Sequence, residues 1–208
     1  MGKKILSYCR ITDDKVILNG NLVLSNNNSD LNHWITDIYN YTKLSYPKFH
    51  KMDRLSKVGV LAAEMVMSES GFDNDNLKRD WALCCMNSSA SLDDDEAYQK
   101  TIQNAEEFYP APSLFVYTLP NIVLGEIAIR HKLRCESSFY VCEKFSADAI
   151  YNAIEDVYLC ESVRYVMGGW LEVGREGCDI LLFVIEESEN GNLQDFSIEN
   201  LRNLYLKK

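Results

Sequence analysis

Short, almost continuously apolar runs alternate with amphipathic helical stretches through the last third of this 208-residue chain. No other feature restricts its fold as much. Residues 138–142 read as a strand, and 146–160 as a helix with Ala149, Ile150, Ala153, Ile154 and Val157 on one face. Residues 163–173 form a second strand containing Gly168-Gly169. The tight turn Gly174-Arg-Glu-Gly177 leads to a third strand, 178–186, so the last two should make an antiparallel hairpin. Strands this apolar fit a sheet covered on both faces. The expected class is α/β, layered, with a mixed five-stranded sheet between helices.

The first 25 residues also read as strands, with a hairpin around Asn19-Gly20. A polar break at 26–30 offers Ser29 or Asp30 as the cap of a helix over 31–41. A longer helix, 52–70, carries the stripe Leu55, Val58, Leu61, Ala62, Met65 and Val66, and Gly71 stops it. A polar linker (73–80) precedes a buried strand at 81–86, a polar loop at 88–95 and a helix near 96–107. Residues 113–129 suggest a mostly buried helix that Pro120 kinks or delays. An acidic loop (186–192) and a terminal helix (198–206) complete the chain. Nothing resembles an interdomain linker, so a single domain spans 1–208, with an N-terminal extension (1–45), a core (46–186) and a C-terminal tail (187–208).

Composition removes some functions. The formal net charge is -10, which disfavours nucleic acid and anionic membrane surfaces as partners. None of the seven cysteines has CxxC spacing, so neither a metal site nor a redox motif is expected, and no cofactor is implied. The start, Met1-Gly-Lys-Lys-Ile5, lacks a long apolar stretch. No signal peptide or membrane span is expected, and free thiols fit a cytoplasmic protein. Ser88-Ser-Ala-Ser91 lacks the glycines and lysine of a phosphate loop and reads as a turn or cap. Asp93-Asp-Asp-Glu96 reads as an acidic helix N-terminus rather than a calcium loop. Gly168-Gly169 fits a ligand's close approach or a tight packing site equally well.

Three segments, in order, resemble the N-terminal half of β-ketoacyl synthases, within the thiolase-like superfamily. Lys51-Met-Asp-Arg54 and the helix after it are similar to the family's R-M-D-R-x-x-x-x-A-x-x-A-A stretch. Leu119-Pro-Asn-Ile-Val-Leu-Gly-Glu-Ile-Ala-Ile129 resembles L-P-N-x-x-x-G-x-I-A-I. Residues 139–150, continuing to Val166-Met-Gly-Gly-Trp-Leu-Glu172, resemble the nucleophile stretch, its helix and the A-G-G-x-E strand. The resemblance covers about residues 52–186. It looks closest to short synthase-like proteins of aryl-polyene and related lipid pathways, and it implies a thiolase-like half-fold.

In that family a cysteine thiolate at a helix N-terminus carries the acyl chain. Two further side chains, His–His or His–Asn from the C-terminal half, stabilise the developing charge. Here the nucleophile position falls on Glu143 or Lys144. Neither can hold a thioester, and Lys144-Phe145 would crowd an acyl tunnel. Cys142 is the nearest thiol, either a buried strand residue or an acyl acceptor working with a partner subunit. His33, His50 and His131 match no catalytic motif of the family.

The family also implies partners. Lys51, Arg54 and Lys57, within a basic cluster that includes Lys43, Lys48 and His50, are candidates for docking an acidic acyl carrier protein. Half a fold should leave an apolar face where the second half packs, covered by a second copy or by a full-length synthase. Leu119, Asn121, Gly125 and Tyr140 are the expected interface positions. The resemblance thus implies a chain-length-factor-like subunit. The alternatives are an acyltransferase using Cys142 and a stand-alone module binding acyl chains or carrier protein.

Overall fold

Asn19 and Gly20 both take positive φ, 49° and 87°, and turn β2 (Lys15–Leu18) back onto β3 (Asn21–Ser25) as an antiparallel hairpin. The structure, a computed structural model, describes residues 2–207 except 28–29, 73–76, 107, 161 and 176. β1 (Gly2–Ile11) pairs with β2 on one side and with β7 (Cys178–Ser188) on the other. β6 (Tyr165–Val173), β4 (Trp81–Asn87) and β5 (Glu136–Val141) complete the order β3-β2-β1-β7-β6-β4-β5, and β8 (Gln194–Asp195) adds to β1. The sheet is mixed, as expected, since β4 runs parallel to β5 and β6 while the other neighbours are antiparallel. It has eight strands rather than five. The increase comes from the antiparallel ladder between β1 and β7, which draws the N-terminal strands into the sheet.

Two apolar layers cover this sheet. On one face α1 (Leu31–Thr42), α2 (Arg54–Glu69) and α5 (Ile122–His131) pack on Cys9, Leu83, Cys85 and Met167. On the other, α6 (Ala147–Cys160) and α7 (Ile198–Leu206) pack on Tyr8, Ala82, Cys84, Met86 and Phe183. The alternation along β4 follows from the two-residue period of a strand. Asp30 caps α1, its carboxylate accepting from His33 N at 2.9 Å, while Ser29 lies outside the described residues. The stripe expected on α2 is buried, and so are Gly59, Val60, Ala63 and Met67, because α1, α5 and the sheet surround the helix. A methyl on Gly59 would stand 2.4 Å from Val123 Cγ2, so α2 and α5 meet at closer range than a larger residue permits. Gly71, at φ 74°, ends α2 with Gly71 N donating to Ser68 O and Phe72 N to Met67 O.

Three expectations need correction. The helix expected at 113–129 is two pieces: α4 (Pro112–Phe115) extended by a 3₁₀ turn, Val116–Thr118, and then α5 after a 98° bend. Pro120 forces Leu119 into an extended conformation (φ −107°, ψ 112°), and the first piece is left on the surface instead of buried. α3 (Leu92–Ile102) starts before 96, because Asp93, Asp94 and Asp95 occupy its first turn, where carboxylates suit the helix dipole. Its expected end at Glu107 lies outside the described residues, as does part of the linker 73–80. The acidic stretch after 186 begins as strand, since β7 continues to Ser188 opposite Gly2. The terminal helix is α7, as expected.

Among the described residues no single helix is long and apolar enough to cross a membrane.

Candidate functional site

The parallel strands β4, β5 and β6 end at one edge of the sheet. In α/β sheets, ligand crevices form outside such carboxyl ends. Two loops meet there, the β5–α6 turn holding Cys142, Glu143 and Lys144, and the loop 88–91 after β4.

In the β5–α6 turn, Cys142 N donates to Asn87 O at 2.8 Å, which extends the β4–β5 pairing. The Cys142 thiol is half-buried and lies 3.7 Å from Met86 Sδ. Glu143 and Lys144 are exposed. Ser146 caps α6, its hydroxyl accepting from Ala149 N at 3.1 Å, so no thiol stands where the helix dipole would favour a thiolate. Burial pushes the thiols of Cys84 and Cys178 up to about 12 and that of Cys135 up to about 11, which leaves them protonated at neutral pH. The mouth of α6 is filled. Phe145 stacks on Tyr205 of α7 with ring centroids 3.6 Å apart and meets Trp170 edge-on at 6.0 Å. The Tyr205 hydroxyl donates to Asp179, which pairs with the buried Arg10 at 2.5 Å, and the Arg10 guanidinium lies over the Tyr205 ring. A groove of about 380 Å³ remains beside this stack, lined by Lys144, Asp148 and Arg202 among others.

The serine loop has an internal anion. Glu172 of β6 accepts from Ser88 N and Ser88 Oγ, both at 2.6 Å, from Ser89 N at 3.3 Å, and from Ser89 Oγ. The donors that a phosphate would use already bind a carboxylate. Gly168-Gly169 is a packing site rather than a ligand approach. A Cβ on Gly168 would stand 2.7 Å from Ile154 Cδ1 of α6, and one on Gly169 would stand 1.9 Å from Leu181 O of β7.

Beside the serine loop lies a cleft of about 540 Å³ between the start of α2, α3 and the β6–β7 turn. Four cations (Arg54, Lys57, Lys100, Arg175) and four acids (Asp53, Asp93, Asp94, Glu96) line it. Asp53 caps α2, accepting from Leu55 N at 3.0 Å and Ser56 N at 3.2 Å, and its side chain meets that of Asp94. Burial, reinforced by the charge of Asp53, pushes the Asp94 carboxyl up to about 7. Burial raises Asp53 as well, against hydrogen bonds that pull it down. Two like carboxyls facing each other disfavour ionisation of both together.

The candidate docking cations do not form a free patch. Arg54 faces Asp93 at 3.6 Å and Arg175 O at 3.3 Å, Lys48 is held by the buried Glu126 at 2.6 Å, and Lys51 is exposed. The interface positions Leu119, Asn121, Gly125 and Tyr140 are all on the surface. Tyr140 projects on the α6 side of β5 and Phe139 on the α5 side, so they flank the edge from opposite faces. His33 and His50 are exposed. His131 is fully buried beside Glu64, and burial lowers it to about 4. Sequence reasoning missed the Phe145–Tyr205 stack, the Arg10–Asp179 pair and the Asp53–Asp94 contact. Arg10 inside an apolar strand was the one available signal.

No protein-family model matches the sequence, and no curated protein matches it. Solved structures do. The ishigamide ketosynthase/chain length factor superposes with a TM-score of 0.65 at 12% identity, covering 94% of this chain and 64% of its own. A ketosynthase in complex with its chain length factor from Xenorhabdus doucetiae gives 0.59 at 11% identity, covering 99% of this chain and 90% of the matched one. A type II polyketide acyl-carrier protein in complex with its ketosynthase gives 0.61 at 13% identity, covering 92% and 64%. This chain therefore spans less than two thirds of the length of the first and third matches. Its fold is that of these ketosynthase structures.

Proposed function

We propose that this chain is a non-catalytic, chain-length-factor-like subunit of fatty-acid- or polyketide-type biosynthesis, such as aryl-polyene assembly. It pairs through the edge of β5 with a full-length β-ketoacyl synthase and shapes the acyl site that the partner operates. The observation that carries this reading is the contrast between a closed α6 mouth and an open β5 edge. Phe145 and Tyr205 stack at the start of α6, beside a serine cap, which supports a site closed to an acyl chain. β5 pairs only with β4 in the sheet order, and Tyr140, Val141, Leu119 and Ile129 on and around α5 and β5 are exposed. An unpaired edge bordered by apolar side chains favours pairing with another chain. Two of the similar structures are themselves complexes, one with a chain length factor and one with an acyl-carrier protein. An acidic carrier would meet Lys51 and Lys57 more readily than Arg54, whose charge faces Asp93.

Co-expression with a full-length synthase, read by size exclusion with light scattering, tests the pairing. A heterodimer is expected, and Leu119→Arg combined with Tyr140→Arg should abolish it while leaving the melting temperature of the isolated chain unchanged. A chain that stays monomeric beside the synthase, or pairs only with itself, overturns the proposed partner. Exposing the complex to acyl-carrier thioesters tests the chemistry by mass spectrometry. An acyl adduct on Cys142 that disappears in Cys142→Ala would replace the non-catalytic reading with the acyltransferase one.

A further inference from the structure

α3 is the exception among the longer helices, because it buries no residue. Its neighbours are α4 and the 3₁₀ turn after it, and Tyr98 of α3 meets the Phe115 ring at 5.2 Å. α3 therefore packs on α4 and the turn after it, at the border of the cleft. Polar contacts hold this arm to the body. Asp93 stands 3.6 Å from both Arg54 of α2 and Arg175 of the β6–β7 turn, and Arg175 also meets Glu96. Ser91 Oγ donates to Thr118 O at 2.6 Å at the base. Arg175 is 62% exposed, so its ion pairs are weak and screened by salt. A body–arm contact made this way lies near balance, unlike the apolar packing that fixes α1, α2 and α5.

We propose that α3 and α4 form an electrostatically latched arm that closes on the start of α2 through the Arg54–Asp93–Arg175 pins and a proton shared between Asp53 and Asp94. Salt and rising pH open it. Asp94 faces Asp53 from the α2 cap, Asp93 and Asp95 from its own helix, and Tyr117 from the turn before α5. None of these supplies a positive charge; of the cations lining the same cleft, Arg54 and Arg175 are engaged by Asp93, and Lys57 of α2 and Lys100 of α3 are the others. The sign follows from the protons bound. With the arm closed, Asp94 keeps its proton to about pH 7; with it open, the carboxyl is ordinary and ionises near pH 4. Opening therefore releases a proton across that window, and closure weakens as pH rises from about 4 to about 7, then levels off. The exposed Phe115 of α4 rides on this arm, and Val116 follows it. Any consequence for partner pairing rests on the function proposed above, whereas the latch itself does not.

Hydrogen–deuterium exchange on the isolated full chain tests the latch, with the intrinsic pH dependence of exchange divided out. Protection of peptides within 92–102 should fall by up to about tenfold per pH unit below pH 7 and level off above it. High sodium chloride should lower it further, while β6 and β7 stay unchanged. Asp94→Asn, neutral at every pH, should lose the pH dependence and keep the salt dependence. Arg175→Gln should lower protection at every pH. Protection in the wild type that ignores both pH and salt overturns the proposal, as does an Asp94→Asn profile that still follows the wild type. The wild-type profile decides the matter even if a variant fails to fold. Failure to bind a synthase would leave this result untouched.

Discussion

Gly169 shows how a single position can hold two strands at their observed distance. Its φ is 152°, and a Cβ there would overlap Leu181 O of the neighbouring strand. Gly169→Ala should cost more than about 3 kcal/mol or prevent folding, because backbone strain and overpacking add. Gly168→Ala, which meets the movable end of Ile154 and the carbonyl of Cys84, should cost about 1–3 kcal/mol. Urea unfolding of both variants measures the difference, and equal losses would contradict this reading. The glycine pair was visible in the sequence as unusual for a strand. That it serves packing was not, because the atoms that crowd it belong to β7, β4 and α6.

At the scale of elements, α7 covers the α6 side of the sheet together with α6. Leu201 and Leu204 are fully buried against the sheet face shared with α6, and the outward face of α6 carries Asn152, Asp156 and the exposed Leu159. A group of exposed apolar side chains, Phe115, Val116, Leu119, Ile129, Tyr140 and Val141, gathers around α4, α5 and β5. Leu204→Ala should therefore lose about 2–5 kcal/mol of stability. Leu206→Ala, 69% exposed, should change it by less than about 0.5 kcal/mol. Thermal or chemical denaturation reads both, and a neutral Leu204→Ala would mean that α7 is not a structural cover. The periodicity of α2, α6 and α7 was legible because the 3.6-residue stripe is local. The break at Pro120 was legible as a risk, but its 98° size depends on where α5 finds α2.

For the molecule as a whole, the buried His131 and the half-buried Asp94 pull acid stability in opposite directions. His131 is depressed to about 4 when folded, so the unfolded chain takes up a proton that the folded one refuses. Its contribution is present above about pH 6.5 and is lost as pH falls, by about 1–2 kcal/mol between pH 7 and 5. Asp94 is raised, so its contribution is present below about pH 4 and is lost as pH rises toward 7. His131→Gln should make the chain less acid-sensitive between pH 7 and 5 than the wild type. Urea midpoints at the two pH values check this, and an unchanged difference would remove His131 from the account.

The sequence by itself determined the class of fold, the positions of most strands and helices, the hairpin at Asn19-Gly20 and the three segments that resemble a ketosynthase half. These rest on periods of two and 3.6 residues and on turn chemistry, which act within a few residues of one another. Only the tertiary structure decided that β1 joins β7 to make eight strands, that Tyr205 closes the mouth of α6 over Phe145, and that Asp53 meets Asp94. Those contacts join residues roughly forty to nearly two hundred positions apart. Their pairing is set by how the apolar faces pack together, and no local pattern encodes it.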